Sequence, residues 1–132
     1  MKFNVGDKAE AVFSFSQEQV NRFIELSGDN NPIHFDEAYA SGTIFKKPII
    51  HGFLSSCIFS KILGITMPGY GTIYLKQDLN FKKPMYVDEN YRAEVEIVSV
   101  KNSRANLRTI IRDTNGDITI EGEALVMNTE TL

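Results

Sequence analysis

Residues 52–63 carry large apolar side chains around almost the whole circumference of a helix, relieved only by small serines and Lys61. A helix that is apolar on nearly every side is typical of a buried element, because it has no polar face to turn towards water. Most of the chain that follows this segment has the pattern of β-strands. One buried helix followed by a run of strands predicts an α+β fold, with an antiparallel sheet wrapped around a long central helix.

Five segments, one before the central helix and four after it, alternate between apolar and polar residues or are rich in strand-forming residues: 9–15, 72–81, 90–100, 107–112 and 118–127. Asn115 and Gly116, between the last two, form a dipeptide typical of a hairpin turn. The pattern is compatible with a closed barrel or an open sheet, and the length of the helix favours the open sheet. An open sheet has edge strands, and pairing with a second copy of the chain would cover one of them.

A first helix is predicted between the first strand and the central helix. Ser16 and Gln19 have the spacing of a capping box, and Gly28 is placed to end this helix. Residues 29–34 are predicted to form an irregular loop, because a proline within them bars a helix. Asp36 is predicted to cap a second, short helix that runs to residue 40.

The 132 residues suffice for a hydrophobic core, and we predict a single domain over residues 1–132. The formal net charge of −3 gives no electrostatic reason to expect a nucleic-acid partner. Cys57 is the only cysteine and is expected in the core; an internal disulfide is therefore excluded, and a reducing, cytoplasmic setting is favoured. The first residues lack the apolar core of a signal peptide, and residues 49–65 are too few and too interrupted to span a membrane.

The two histidines of the chain lie beside a carboxylate cluster in a stretch of turn-forming residues. Asp29 and His34 are separated by a proline-stiffened turn, so the backbone can fix their relative placement. A carboxylate and an imidazole are the commonest pair for moving protons near neutral pH, and we predict that function for them. The structural alternative is that Asp29 caps a turn and His34 is an ordinary loop histidine. Asp36, a competing carboxylate, is explained by helix capping.

Gly52 begins the predicted central helix, where unpaired amides and the positive end of the helix dipole favour a developing oxyanion. Because glycine has no side chain, a substrate carbonyl can approach its N–H closely. The alternative is that Gly52 only permits tight packing. We interpret the preceding residue, His51, as a positioning residue or a core contact rather than a second proton carrier.

The serines of the central helix, Ser55, Ser56 and Ser60, belong to no nucleophile-elbow motif. We interpret them as small packing residues, with Ser60 as a candidate hydrogen-bond partner of a catalytic group. The spacing of the histidines and aspartates matches no usual zinc pattern, so no metal site is predicted. The basic pairs at 46–47 and 82–83 are interpreted as solvated loop charges, which could also meet the phosphates of a nucleotide-bearing substrate.

Residues 27–36 resemble the hydratase signature D-x-N-P-[IL]-H-x-D of MaoC-like dehydratases and R-specific enoyl-CoA hydratases. The likeness continues, with the expected spacing, through Pro48-Ile49-Ile50-His51-Gly52, Pro68-Gly69-Tyr70-Gly71-Thr72-Ile73-Tyr74 and Asn80-Phe81-Lys82-Lys83-Pro84. The resemblance therefore covers most of the chain. The length of the chain is similar to that of the bacterial family members that have a single hotdog domain. The resemblance implies a hotdog fold and a homodimer with two active sites near its interface.

The resemblance also implies roles for individual residues. The catalytic pair falls on Asp29 and His34, the amide donor to the thioester carbonyl falls on Gly52, and a supporting serine falls on Ser60. Beside these residues, Asn31 and His51 are expected to support the site. The implied activity is the reversible syn hydration of trans-2-enoyl-CoA to (R)-3-hydroxyacyl-CoA without metal or cofactor. In this scheme Asp29 takes a proton from water, while His34 orients the water and delivers a proton to C2.

Three alternatives remain open at this point. The first is an (R)-3-hydroxyacyl dehydratase that acts on acyl groups carried by acyl carrier protein. The second is a thioester-binding hotdog without turnover, against which the intact Asp29 and His34 pair argues, because binding alone needs no proton-transfer couple. The third is a thioesterase, an enzyme class that shares the fold but lacks the Asn-Pro-Ile-His run.

Overall fold

The computed structural model describes residues 2–132. Six strands form one antiparallel sheet in the order β1-β4-β5-β6-β2, and β3 pairs with the same side of β6 as β2. The strands are β1 Lys8–Phe13, β2 Ile73–Gln77, β3 Asn80–Phe81, β4 Tyr91–Lys101, β5 Arg104–Arg112 and β6 Ile118–Met127. The sheet does not close on itself, so the open sheet predicted from the sequence is confirmed.

Three α-helices and two irregular turns lie outside the sheet. They are α1 Gln17–Ser27, a 3-10 turn Pro32–His34, α2 Glu37–Ser41, α3 Gly52–Lys61 and a π-helical turn Ile62–Thr66. The ten residues of α3 and the five of the π-helical turn together form the central helix. The predicted arrangement of an antiparallel sheet around a long central helix is therefore present. Among residues 2–132, no helix has the length and apolar character needed to cross a membrane.

The helix boundaries around the first loop follow from side-chain caps. Ser16 and Gln19 form both hydrogen bonds of a capping box, and Gly28 ends α1 in the left-handed conformation with a φ of 79°. The Asp36 side chain accepts a hydrogen bond from the N–H of Tyr39 at the start of α2. These predicted caps are confirmed.

The loop after α1 is more regular than predicted, because Pro32–His34 form a 3-10 turn. Pro32 lies at the start of this turn, where a backbone N–H would have no hydrogen-bond partner within the turn, so its absence costs nothing. The expectation of a wholly irregular 29–34 loop was therefore wrong in its second half.

The single strand predicted at 72–81 is two strands, because the chain leaves the sheet between β2 and β3. At this break the backbone oxygen of Asp78 lies 1.9 Å from the position that a Cβ on Gly122 would occupy. The close approach of the two backbones is possible only because residue 122 has no side chain.

The central helix is buried on one side only. Leu54, Ile58 and Phe59 pack into the core beneath the sheet, whereas Phe53 is 71% exposed and Cys57 is exposed. The predictions of a helix buried all round and of Cys57 in the core were therefore wrong for the single chain. The reason is that an open sheet covers one face of the helix and leaves the opposite apolar face uncovered.

Candidate active site

Asp29 is held by the turn that follows α1. Its Oδ1 accepts a hydrogen bond from the backbone N–H of Asn31 at 3.2 Å, while the Asn31 side chain accepts one from the N–H of Ile33 at 3.2 Å. These two short-range turns fix the carboxylate to the start of the 3-10 turn. The other oxygen, Oδ2, has no hydrogen bond within the described residues, and it is the oxygen that faces the histidines.

His34 ends the 3-10 turn with its ring directed at Asp29. Its Nδ1 lies 2.8 Å from the carbonyl oxygen of Ile49, and its Nε2 lies 3.8 Å from Asp29 Oδ2. A carbonyl can only accept a hydrogen bond, so Nδ1 carries the proton of the neutral ring and Nε2 offers a lone pair. The backbone of Ile49 also donates to the carbonyl of Ile33 at 3.1 Å, which ties this segment to the 3-10 turn.

His51, directly before α3, is buried against both groups. Its ring stacks on His34 with centroids 3.6 Å apart, and the ring of Phe23 meets it edge-on at 4.8 Å. Its Nε2 lies 3.1 Å from the backbone oxygen of Asp29, so Nε2 is the donor. Burial lowers the pKa of His51, the hydrogen bond to Asp29 raises it, and the neighbouring His34 lowers it again.

The gap between Asp29 and His34 has the chemistry of a water site. Asp29 Oδ2 and His34 Nε2 are both acceptors, and their separation of 3.8 Å is too long for a direct hydrogen bond. One water molecule can donate a hydrogen bond to each of them at once. Its oxygen lone pairs then point away from the pair, which is the orientation that a nucleophilic water needs.

Asp29, His34 and His51 are also the residues that could hold a cation, since their ligand atoms lie within 4.8 Å of one another. Chelation requires lone pairs that converge on one point. The two rings are stacked 3.6 Å apart and inclined by only 23°, so their lone pairs lie in separate, nearly parallel planes and do not meet at one point nearby. His51 Nε2 also already donates to Asp29. This arrangement suits a water better than a metal ion.

Gly52, the first residue of α3, lies between the acid/base pair and an apolar cavity. No side chain caps α3, and the N–H of Gly52 has no acceptor within residues 2–132. A Cβ on Gly52 would lie 2.4 Å from Cε1 of Phe81, whose ring contacts Phe53 edge-on at 6.0 Å. The Phe81 ring can occupy this position beside the helix because residue 52 has no side chain. The N–H of Gly52 is left unpaired.

The cavity beside Gly52 has a volume of about 320 Å³ and is lined mainly by apolar residues. They are Phe45, Ile49, Ile50, Phe53, Phe81, Pro84, Met85 and Ile120. Ser55 also lines it, whereas Ser60 is exposed near the other end of α3, eight residues or roughly 12 Å along the helix from Gly52. The structure brings Asp29, Asn31, His34, His51 and Gly52 together but does not bring Ser60 to them. Ser55 belongs to no motif that singles it out in the sequence, and Phe81 lies in the 80–84 segment of the family resemblance, which assigns it no role in the site.

The basic pairs of the sequence are largely engaged with carboxylates. Lys83 lies 3.1 Å from Asp113 and 3.0 Å from Asp117, and Lys82 lies 3.1 Å from Glu121. Lys47 lies 3.5 Å from Glu89 and over the ring of Tyr86. Lys46 has no ion pair among the residues that the structure describes.

Comparison with known proteins places this geometry in a family. Residues 4–117 match the model of the MaoC like domain. The chain is 42% identical over 124 residues to the (R)-specific enoyl-CoA hydratase of Aeromonas caviae, with 92% of each chain covered. It is 32% identical over 127 residues to a mitochondrial 3-hydroxyacyl-[acyl-carrier-protein] dehydratase of Solanum lycopersicum, covering 93% of this chain and 76% of the relative.

The fold agrees with a solved structure of the same kind. The (R)-hydratase from A. caviae involved in PHA biosynthesis superposes with a TM-score of 0.92 at 41% identity, over 95% of this chain and 96% of that one. The expected hotdog fold, with its antiparallel sheet and central helix, is thereby confirmed. The chain belongs to the MaoC-like dehydratase family of hydratases and dehydratases, which act as hydro-lyases.

Proposed function

We propose that this protein is an (R)-specific enoyl-CoA hydratase, which adds water reversibly to a trans-2-enoyl thioester. The observation that carries the proposal is the pair of facing acceptors, Asp29 Oδ2 and His34 Nε2, 3.8 Å apart beside the unpaired N–H of Gly52. The relative from A. caviae is named for this activity and supports it at 42% identity.

In this proposal a hydrogen bond to the thioester carbonyl oxygen positions the substrate in the site. The thioester carbonyl oxygen accepts a hydrogen bond from the N–H of Gly52, at the positive end of the α3 dipole. Polarisation of this carbonyl makes C3 electrophilic and stabilises the negative charge that develops on the oxygen when water adds. The acyl chain and the adjoining carrier arm extend along the apolar cavity and its mouth.

The proton balance involves one water molecule and no other reactant. Asp29 Oδ2 takes one proton from the bound water, and the remaining hydroxyl forms a bond to C3. His34 Nε2 is unprotonated in the tautomer set by Ile49. The added hydroxyl bridges the 3.8 Å between the two groups: it accepts the proton back from Asp29 and passes its own proton to Nε2, which delivers it to C2. Hydroxyl and proton then arrive from the same side, which gives syn addition, and the pair returns to its starting state.

The carrier of the acyl group is a second part of the proposal. Coenzyme A and acyl carrier protein present the same phosphopantetheine thioester, and the relative from S. lycopersicum is named for the acyl-carrier-protein reaction. We propose coenzyme A because the 42% identical relative from A. caviae is named for it. Turnover of crotonyl-CoA and of crotonyl-acyl carrier protein, measured in parallel, separates the two carriers.

The test is the hydration of crotonyl-CoA, followed by the loss of its enoyl-thioester absorbance and by chiral analysis of the product. Wild-type protein is expected to give (R)-3-hydroxybutyryl-CoA. Asp29→Asn and His34→Ala are each expected to lower kcat by about 100-fold or more, since general acid–base groups contribute about 10²–10⁴. Both variants are expected to keep the circular dichroism spectrum of the wild type.

Asp36→Asn is the matched control, because it changes a neighbouring carboxylate that only caps α2. This variant is expected to keep kcat. An inactive wild type, or undiminished turnover by Asp29→Asn, would overturn the proposal. Loss of folding in His34→Ala would assign that residue a structural part instead.

A further inference from the structure

The hydroxyl of Ser55 is buried without a hydrogen-bond partner. The residue is 1% exposed, and its Oγ has no donor or acceptor within reach in the described chain. Two other helical serines bond to the preceding turn: Ser56 donates to the carbonyl of Gly52 at 2.7 Å, and Ser27 donates to that of Phe23 at 2.6 Å. An unsatisfied buried hydroxyl is expensive, typically by about 1–3 kcal/mol. A group from outside the chain is therefore the expected partner of Ser55.

The position of Ser55 indicates what that partner is. Side chains of an α-helix lean towards its N-terminus, so Ser55 covers the surface of the turn that begins at Gly52. This is the turn whose first N–H groups have no cap. Ser55 and Gly52 line the same cavity, whose other lining residues are apolar apart from Lys82 and Lys83. Two unpaired donors thus lie on one turn of the helix and border one apolar cavity.

We propose that the Ser55 hydroxyl is a second donor to the thioester carbonyl oxygen, alongside the N–H of Gly52. The inference rests on the proposed hydratase function and adds a residue to it. In the ground state the two donors orient the carbonyl, and as water adds to C3 they share the negative charge that collects on its oxygen. The apolar surroundings strengthen both hydrogen bonds, because little water competes for them. The bond also gives a partner to the Ser55 hydroxyl, which has none within residues 2–132.

The kinetic test is Ser55→Ala in the crotonyl-CoA assay, with Ser56→Ala as the matched control on the same helix. Ser55→Ala is expected to lower kcat by about 100-fold, the usual effect of removing one oxyanion donor, whereas Ser56→Ala keeps kcat. The melting temperature of Ser55→Ala is expected to equal or exceed that of the wild type, because no hydrogen bond of the free protein is lost. Full kcat in Ser55→Ala would overturn the inference, as would a fall in melting temperature with kcat unchanged.

A spectroscopic test reads the hydrogen bond directly. A conjugated dienoyl-CoA bound to Asp29→Asn is expected to absorb at longer wavelength than in solution, because donors to its carbonyl polarise the conjugated system. Adding Ser55→Ala is expected to remove part of that red shift, and Ser55→Cys, with a weaker donor, to remove less. An identical red shift in Asp29→Asn and in the double variant would exclude Ser55 as a donor.

The two proposals fail in different ways. Wild-type protein that does not hydrate enoyl-CoA would overturn the proposed function. Active wild-type protein with an equally active Ser55→Ala variant would overturn only the part assigned to Ser55.

Discussion

The imidazole rings of His34 and His51 are stacked, with centroids 3.6 Å apart and planes inclined by 23°. Two protonated rings at this separation repel each other, so the stack favours a state in which at most one is charged. Burial lowers the pKa of His51. The Nε2–H of the same ring donates a hydrogen bond to the backbone oxygen of Asp29. We infer that His51 stays neutral and orients the site, which leaves His34 to carry protons.

Stability is predicted to fall as the pH is lowered through the ordinary pKa of histidine. Because the pKa of His51 lies below 6.5 in the folded protein, the unfolded chain binds a proton near and below pH 6.5 that the folded chain does not. The free energy of unfolding therefore decreases by at most about 1.4 kcal/mol per pH unit from this one group. Urea unfolding between pH 8 and pH 5 measures the slope.

The control for this pH dependence is His51→Gln, whose side-chain amide can still donate to Asp29 but does not titrate. Its free energy of unfolding is expected to depend less steeply on pH in the same range. Equal slopes for the wild type and His51→Gln would show that His51 is protonated as easily in the folded protein as in the unfolded chain.

Gly52→Ala is predicted to act through Phe81. The added Cβ would lie 2.4 Å from the Phe81 ring, so the ring must move out of its place beside the helix. Because the Phe81 ring is half exposed and can swing towards solvent, we expect a loss of stability of about 1 kcal/mol, the lower end of overpacking effects, and a lower kcat because the ring borders the carbonyl site. Thermal unfolding and the crotonyl-CoA assay measure the two effects.

A double-mutant cycle tests the contact between these two residues. With Phe81→Ala the added methyl group has room, so Gly52→Ala is expected to cost little further stability in that background. If the stability effects of the two substitutions simply add, the steric conflict is absent.

Local features of the chain were predictable from the sequence, and long-range ones were not. The capping box of Ser16, the turn at Gly28 and the placement of Asp29 beside His34 depend on residues a few positions apart. The contact of Phe81 with Gly52 joins residues far apart in the chain, and no periodicity reveals it. The family resemblance indicates Ser60 as the supporting serine, whereas Ser55 is the serine that lines the cavity of the single chain, and only the packing of the sheet determines which serine does so.

Gly122→Ala is predicted to destabilise the fold more than any other glycine substitution discussed here. Its Cβ would lie 1.9 Å from the backbone oxygen of Asp78, and a backbone atom cannot move aside as a side chain can. We expect a loss of about 3 kcal/mol or more, together with loosening of the edge formed by β2 and β3. Gly64→Ala is the control, since a Cβ there meets nothing within 4 Å and is expected to be neutral or stabilising. Similar effects of the two substitutions on urea unfolding would contradict the predicted close approach.

The protein is predicted to form a homodimer through the β2 edge of the sheet. Three large apolar side chains of β2 are exposed, Ile73, Tyr74 and Leu75, whereas the opposite edge strand β1 exposes only Val12. An unpaired edge with exposed apolar side chains is a template for pairing with a second copy. Light scattering after size exclusion is expected to give twice the chain mass for the wild type and for Val12→Glu, and the chain mass for Leu75→Glu. A monomeric wild type at micromolar concentration, or dissociation by Val12→Glu instead, would contradict pairing at this edge.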